Sequence, residues 1–122
     1  MEVIDSQEKW LPCYLQRRRR SVYQREITRL CRFIIPEGCR VLEVGSAAGL
    51  TLAAVKPSYG LGIELDPHMV AAAKYLHTDR PELEFKQGNI ETFEWEALGD
   101  QPFDYIIIAD VLALLHDVQK TL

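Results

Sequence analysis

The chain has 122 residues, 48% of them hydrophobic and 26% charged, which suits one packed domain and excludes a disordered chain. No apolar run reaches the roughly 18 residues of a membrane span, and MEVIDSQEKW lacks a basic-then-apolar leader, so a cytoplasmic protein with no membrane partner is expected. Three cysteines without CxxC spacing indicate neither a disulfide framework nor a metal site, and the net charge of -4 hides an asymmetry described below.

Residues 1 to 40 carry nine Lys and Arg against five Asp and Glu, and the remainder five against thirteen, so the first third is +4 and the rest -8. Residues 1–36 form a basic N-terminal segment whose apolar positions Tyr23, Ile27, Leu30 and Ile34 recur at helical steps. This periodicity predicts one lead-in helix from about Tyr14 to Ile35, closed by Pro36 and Gly38. The run Arg17 to Arg20 reads first as the wet face of that helix, with a nucleic-acid contact or an anionic small substrate as alternatives.

Residues 37–122 then alternate strand and helix. Arg40 to Val44 is a short strand, Leu50 to Lys56 a helical stretch stopped before Pro57, and Tyr59 to Leu65 a second strand. Asp66 caps a helix that has Pro67 in its first turn and runs through MVAAAKYL, a favourable start because proline suits the first helical position. Leu83 to Gln87 alternates as a third strand, Gly88 and Asn89 break it, and a loop or short helical piece covers Glu91 to Asp100. Phe103 to Ala109 is the strongest strand pattern; its apolar residues on both faces read as a central strand, and a helical tail from Val111 to Leu122 follows it. Alternation of this kind argues for βαβ units and a parallel sheet covered on both faces.

In an open parallel sheet, ligands bind beyond the carboxyl ends of the strands. The segment "VGSAAG" after the first strand has almost no side chain: Gly45 and Gly49 permit positive φ and close approach, and Ser46, Ala47 and Ala48 keep the wall low. Nineteen residues after Gly45 stands Glu64, near the roughly 20-residue offset at which a carboxylate takes the two hydroxyls of a ribose. A dinucleotide fingerprint would need glycine at Ala47 and Leu50, and a phosphate-binding loop would need Gly-Lys-Ser/Thr; neither is present.

At these residues the chain resembles class I S-adenosylmethionine-dependent methyltransferases. "VLEVGSAAG", "GIELDPHMV", "FKQGNIE" and "FDYIIIADVLALLHD" look like the family's first four motifs in their order. The resemblance implies an α/β fold, a Rossmann-like open parallel sheet of order 3-2-1-4, apparently truncated after the fourth strand. It implies S-adenosyl-L-methionine or S-adenosyl-L-homocysteine as cofactor. Glu43 would face its amino group, Gly45, Ser46, Ala47 and Gly49 would line its methionine portion, and Glu64 would bind the ribose. Leu65 would lie against the adenine, Asn89, beside Ile90, would hydrogen-bond its amino group, and Asp110 and Val111 would lie near the methionine end and the acceptor. Ala47 departs from the family by standing at its middle glycine.

The function expected is therefore that of a methyltransferase acting on an unknown small-molecule or nucleic-acid acceptor. The alternatives are an inactive module that keeps the fold for partner binding and a nicotinamide oxidoreductase. An exposed fourth strand is expected to be covered by self-association or by a missing C-terminal half. His68 reads as a first-turn residue, His77 as a cation at a helix end, His116 as a general base only by position, and Trp10 and Trp95 as packing anchors.

Overall fold

A computed structural model describes residues 2–108. The expected tail helix from Val111 lies outside the described residues, and with it Asp110, Val111 and His116.

The N-terminal third differs from the expectation of one helix. It forms two, α1 (Glu2–Arg20) and α2 (Val22–Ile34). Ser21 between them leaves helical geometry at φ -70° and ψ 117°, and its hydroxyl accepts the Gln24 N–H at 3.2 Å. Ser21 and Gln24 have the spacing of an S-x-x-Q capping box, which starts a helix rather than continuing one. The periodic residues Tyr23, Ile27, Leu30 and Ile34 all fall within α2.

The remaining elements follow the alternation in the sequence: β1 (Arg40–Val44), α3 (Leu50–Ala54), β2 (Tyr59–Glu64), α4 (Pro67–Leu76), β3 (Leu83–Gln87), a four-residue 3₁₀ turn at Trp95–Leu98, and β4 (Tyr105–Ile108). The four strands are parallel in the order β3-β2-β1-β4. Among the described residues β4 is an edge strand, paired to β1 alone, with Ile106 58% exposed. This is the strand order, with an exposed fourth strand, that the resemblance implies. α4 begins as expected: Asp66 accepts the His68 N–H at 2.9 Å and Pro67 stands at the first helical position, a cap of about 1 kcal/mol.

Strand periodicity divides the interior. Leu42, Val44, Leu61 and Ile63 pack on one face of the sheet with Ile90 and Phe93, while Val41 and Phe85 face the helices with Leu52, Val55 and Val70. Val41, Leu52, Val55, Leu61 and Ile63 are fully buried, each contributing about 1.5–3 kcal/mol by removal from water. Glu43 shares the alternate β1 positions with Val41, so the same periodicity carries a carboxyl to the helix-covered side. That side is where α3 and the loop before it close down. The backbone of Gly62 makes this possible, since a Cβ there would stand 2.6 Å from the Ser46 hydroxyl oxygen.

Candidate functional site

The bend after β1 is built on left-handed backbone. Gly45 and Gly49 have φ of 74° and 78°, and Ala47 has φ 49°. For glycine this is unstrained; for Ala47 it costs about 1–2 kcal/mol. The compensation is visible: the Ala47 N–H donates to Glu64 Oε1 at 2.9 Å, while Glu64 Oε2 accepts the Asp66 N–H at 2.9 Å. Hydrogen bonds to a charged group contribute about 1.5–3 kcal/mol each. One carboxylate therefore ties the bend after β1 to the end of β2 and brings together the two features that the sequence singled out.

The far side of the bend is propped from α4. His77 Nε2 donates to the Ala48 carbonyl at 3.0 Å, and its ring stacks on Phe85 at 5.5 Å. A carbonyl only accepts, so the proton is on Nε2. A Cβ on Gly49 would meet the Phe85 ring at 2.5 Å, which is why this end of the bend has no side chain. His77 thus does more than end a helix, whereas His68 is exposed in the first turn of α4.

Inside the bend lies a cavity of about 80 Å³ lined by Arg18, Gln24, Ile27, Glu43, Gly45, Ser46 and Thr51. Three polar atoms around it, Arg18 Nε, Glu43 Oε1 and Ser46 Oγ, are buried without a hydrogen-bond partner. Buried polar groups are otherwise nearly always satisfied, and each orphan costs about 1–3 kcal/mol. Three around one small space mark a site shaped for something polar. Burial drives the Glu43 carboxyl up to about 8, with the Leu52 N–H and the Arg18 guanidinium pulling weakly the other way. Glu43 is therefore mostly protonated at neutral pH.

The roof comes from the N-terminal helices. Trp10, Tyr14 and Arg18 follow at steps of four along α1 and touch in sequence, Trp10 edge-on to Tyr14 at 5.6 Å and Arg18 over the Tyr14 ring at 5.7 Å. Burial raises the Tyr14 phenol, opposed by Arg18 and by a backbone hydrogen bond from Ala48, so Tyr14 reaches the bend itself. From α2, Gln24 Nε2 donates to Thr51 Oγ1 at 3.0 Å, and the Thr28 and Thr51 hydroxyls meet at 3.0 Å. This pins α2 to the first turn of α3. Sequence reasoning had not placed Tyr14, Arg18, Gln24 or Thr51 at the bend. The stripe of Trp10, Tyr14 and Arg18 was the available signal, since residues four apart share a helix face.

The other expected residues are dispersed around the carboxyl end of the sheet. Leu65 is 62% exposed beside Glu64. Asn89 Oδ1 accepts the Glu91 N–H at 2.9 Å, a local turn, and Ile90 packs into the lower core with Phe93. Trp95 lies on Phe93 with ring centres 4.8 Å apart. Among the described residues no helix is long and apolar enough to cross a membrane.

A parallel sheet of this order, with a low-walled bend after β1 and a carboxylate at the tip of β2, defines the Rossmann-like class that includes the S-adenosylmethionine-dependent methyltransferases. Residues 35–122 match the family described as Methyltransferase domain, and the chain belongs to that family. The fold is shared with the N-methyltransferase NodS from Bradyrhizobium japonicum, solved with S-adenosyl-L-homocysteine, at 22% identity and TM-score 0.69, covering 84% of this chain and 53% of that one. It is shared also with a TehB-like methyltransferase from Corynebacterium glutamicum, at 22% identity and TM-score 0.65 over 96% of this chain and 60% of that one. YcgJ from Bacillus subtilis gives 23% identity and TM-score 0.68 over 80% and 43%. The chain thus spans about half the length of these structures. No curated protein sequence matches it.

Proposed function

We propose that the cavity and the adjoining tip of β2 hold S-adenosylmethionine and that the protein transfers its methyl group to an acceptor. The observation that carries this reading is the set of three orphaned buried atoms around one cavity of about 80 Å³. That volume takes an amino-acid head and not a nucleoside. The donor set is complementary to such a head: Glu43 to an ammonium, Arg18 and Ser46 to a carboxylate. Glu64 uses one lone pair on each oxygen for the backbone, and a carboxylate has about four acceptor sites, so two remain for the paired hydroxyls of a ribose. Leu65, exposed beside it, offers an apolar flank to a base, with Asn89 and Ile90 following β3.

The sulfonium of the bound cofactor supplies an electrophilic methyl group. The protein's part is placement, which converts an encounter into an in-line approach. Glu43 and Arg18 hold the amino-acid end, and Tyr14 with Trp10 excludes water from above. Gly45 and Ala47 let the chain pass close without a bulky wall. No protein nucleophile is required. Asp110 and Val111, outside the described residues, remain the expected neighbours of the reacting methyl group.

Titration calorimetry with S-adenosylhomocysteine and with NAD tests the assignment. The first is expected to bind and the second not, and Ser46→Ala is expected to weaken the first by about tenfold through one lost polar contact. NAD binding in preference to S-adenosylhomocysteine would reverse it. Cofactor binding that persists in a full-length protein without methyl transfer to any acceptor would favour the inactive module.

A further inference from the structure

The run Arg17 to Arg20 acquires a shape in three dimensions. The break at Ser21 turns the last turn of α1 toward α2, where Arg25, Arg29 and Arg32 follow at steps of four and three along one face. A groove of about 590 Å³ results, lined by Arg18, Arg19, Arg25, Arg29 and Arg32 with Gln24, Thr28, Phe33 and Leu50. Among the described residues its lining contains five guanidinium groups and no carboxylate. Of the acids near it, Glu26 stands 4.0 Å from Arg29, both highly exposed, a pairing of little energetic weight, and Glu43 faces Arg18 on the cavity side only. A merely solvated helix face would be expected to intersperse charges of both signs, because like charges at these spacings repel. Concentrating five cations in a concavity has a cost that an anionic occupant would offset.

We infer that this groove receives the phosphoryl groups of the methyl acceptor, which is a phosphorylated small molecule of about nucleotide size. Guanidinium forks match phosphate oxygens two at a time, and the volume lies within the roughly 300–1,000 Å³ of small-ligand sites. Phe33, 87% exposed at the groove's edge, gives an apolar ring for the uncharged part of the ligand. Arg18 and Gln24 line both the groove and the cavity beside Glu43, so an occupant of the groove is adjacent to the proposed cofactor. A nucleic-acid strand fits less well: it needs a basic track for successive phosphates, and residues 41–122 carry a net -8.

This inference rests on the cofactor assignment only for the role of the occupant, and the two are separable by experiment. Inorganic pyrophosphate, a short single-stranded oligouridine and S-adenosylhomocysteine are titrated separately into the wild-type chain, the Arg25→Gln/Arg29→Gln variant and Glu64→Ala. Pyrophosphate is expected to bind in a salt-sensitive manner, to weaken about tenfold or more in the arginine variant, and to be unaffected by Glu64→Ala. S-adenosylhomocysteine should show the opposite pattern. Arg29→Lys, which keeps the charge and removes the fork, should weaken pyrophosphate by a few-fold, and circular dichroism checks that each variant is folded. Pyrophosphate binding that is absent, or indifferent to the arginine substitutions, overturns the inference, as does tighter binding of the oligouridine than of pyrophosphate. If pyrophosphate behaves as expected while S-adenosylhomocysteine fails to bind wild type, the groove stands and the cofactor assignment falls.

Discussion

Glu43 should expel a proton when the cofactor binds. Burial holds its carboxyl at about 8, so at about pH 7 roughly nine-tenths of the molecules carry the proton. An ammonium placed against an acid lowers its pKa by about 1–3 units, which brings the bound-state value to about 5–7. Between about 0.4 and 0.9 of a proton is then released per site at about pH 7. The ligand's own α-ammonium is more basic than a peptide N-terminus because a carboxylate lies beside it, so at about pH 7 it is charged already and takes up no more than about 0.2 of a proton. Calorimetric titration of S-adenosylhomocysteine in buffers of different ionisation enthalpy measures the net number. Glu43→Gln should bring it to zero or to slight uptake. A net uptake by the wild type, or a release that survives Glu43→Gln, would refute the argument that Glu43 is the protonated partner of the ammonium.

The same group sets a stability profile. A carboxyl raised from 4.5 to about 8 by burial makes the folded state hold more protons than the unfolded state between those values, so its stabilising neutral form is in place below about pH 4.5 and is lost as pH rises toward 8. Chemical denaturation of the ligand-free protein should show stability falling across that window by up to about 5 kcal/mol from this group, and Glu43→Gln should flatten the fall. Ala47→Gly relieves left-handed strain at φ 49° and should raise stability by up to about 1 kcal/mol, read as a rise of a few degrees in Tm; a lower Tm would contradict the strain. The chain, with β4 at the edge of the sheet among the described residues and Leu30, Phe33 and Ile34 on α2 more than half exposed, should self-associate. Light scattering that shows a clean monomer at all concentrations would rule this out.

The sheet was readable because its determinants are local. The β1 and β2 runs, Gly45 and Gly49 after β1, and Asp66-Pro67 before α4 each specify backbone by residue type, whereas the strand order came from the resemblance and not from any local pattern. Glu64 was readable by spacing alone, although its double hold on the Ala47 and Asp66 N–H groups was not. Ser21 was legible in principle as half of a capping box with Gln24, but the arginine run on one side and the apolar period on the other suggested continuity. The edge position of β4 was expected from the implied strand order and not from composition, because Tyr105 to Ile108 is apolar on both faces whatever lies beside it. Arg18 and Tyr14 reach the bend only because α1 folds back over it, a contact spanning some thirty residues of sequence that no local pattern encodes.

The proposed contact between Glu64 and the ribose is tested most directly by a cycle pairing Glu64→Ala with an S-adenosylhomocysteine analogue that lacks both ribose hydroxyls. The wild type should bind the natural compound about 10- to 100-fold more tightly than the analogue, from the loss of one or two hydrogen bonds to a charged group. Glu64→Ala should bind the two alike, so any loss of bend stability in the variant cancels from the comparison. If the variant still preferred the hydroxylated compound by the full wild-type margin, the ribose would be held elsewhere.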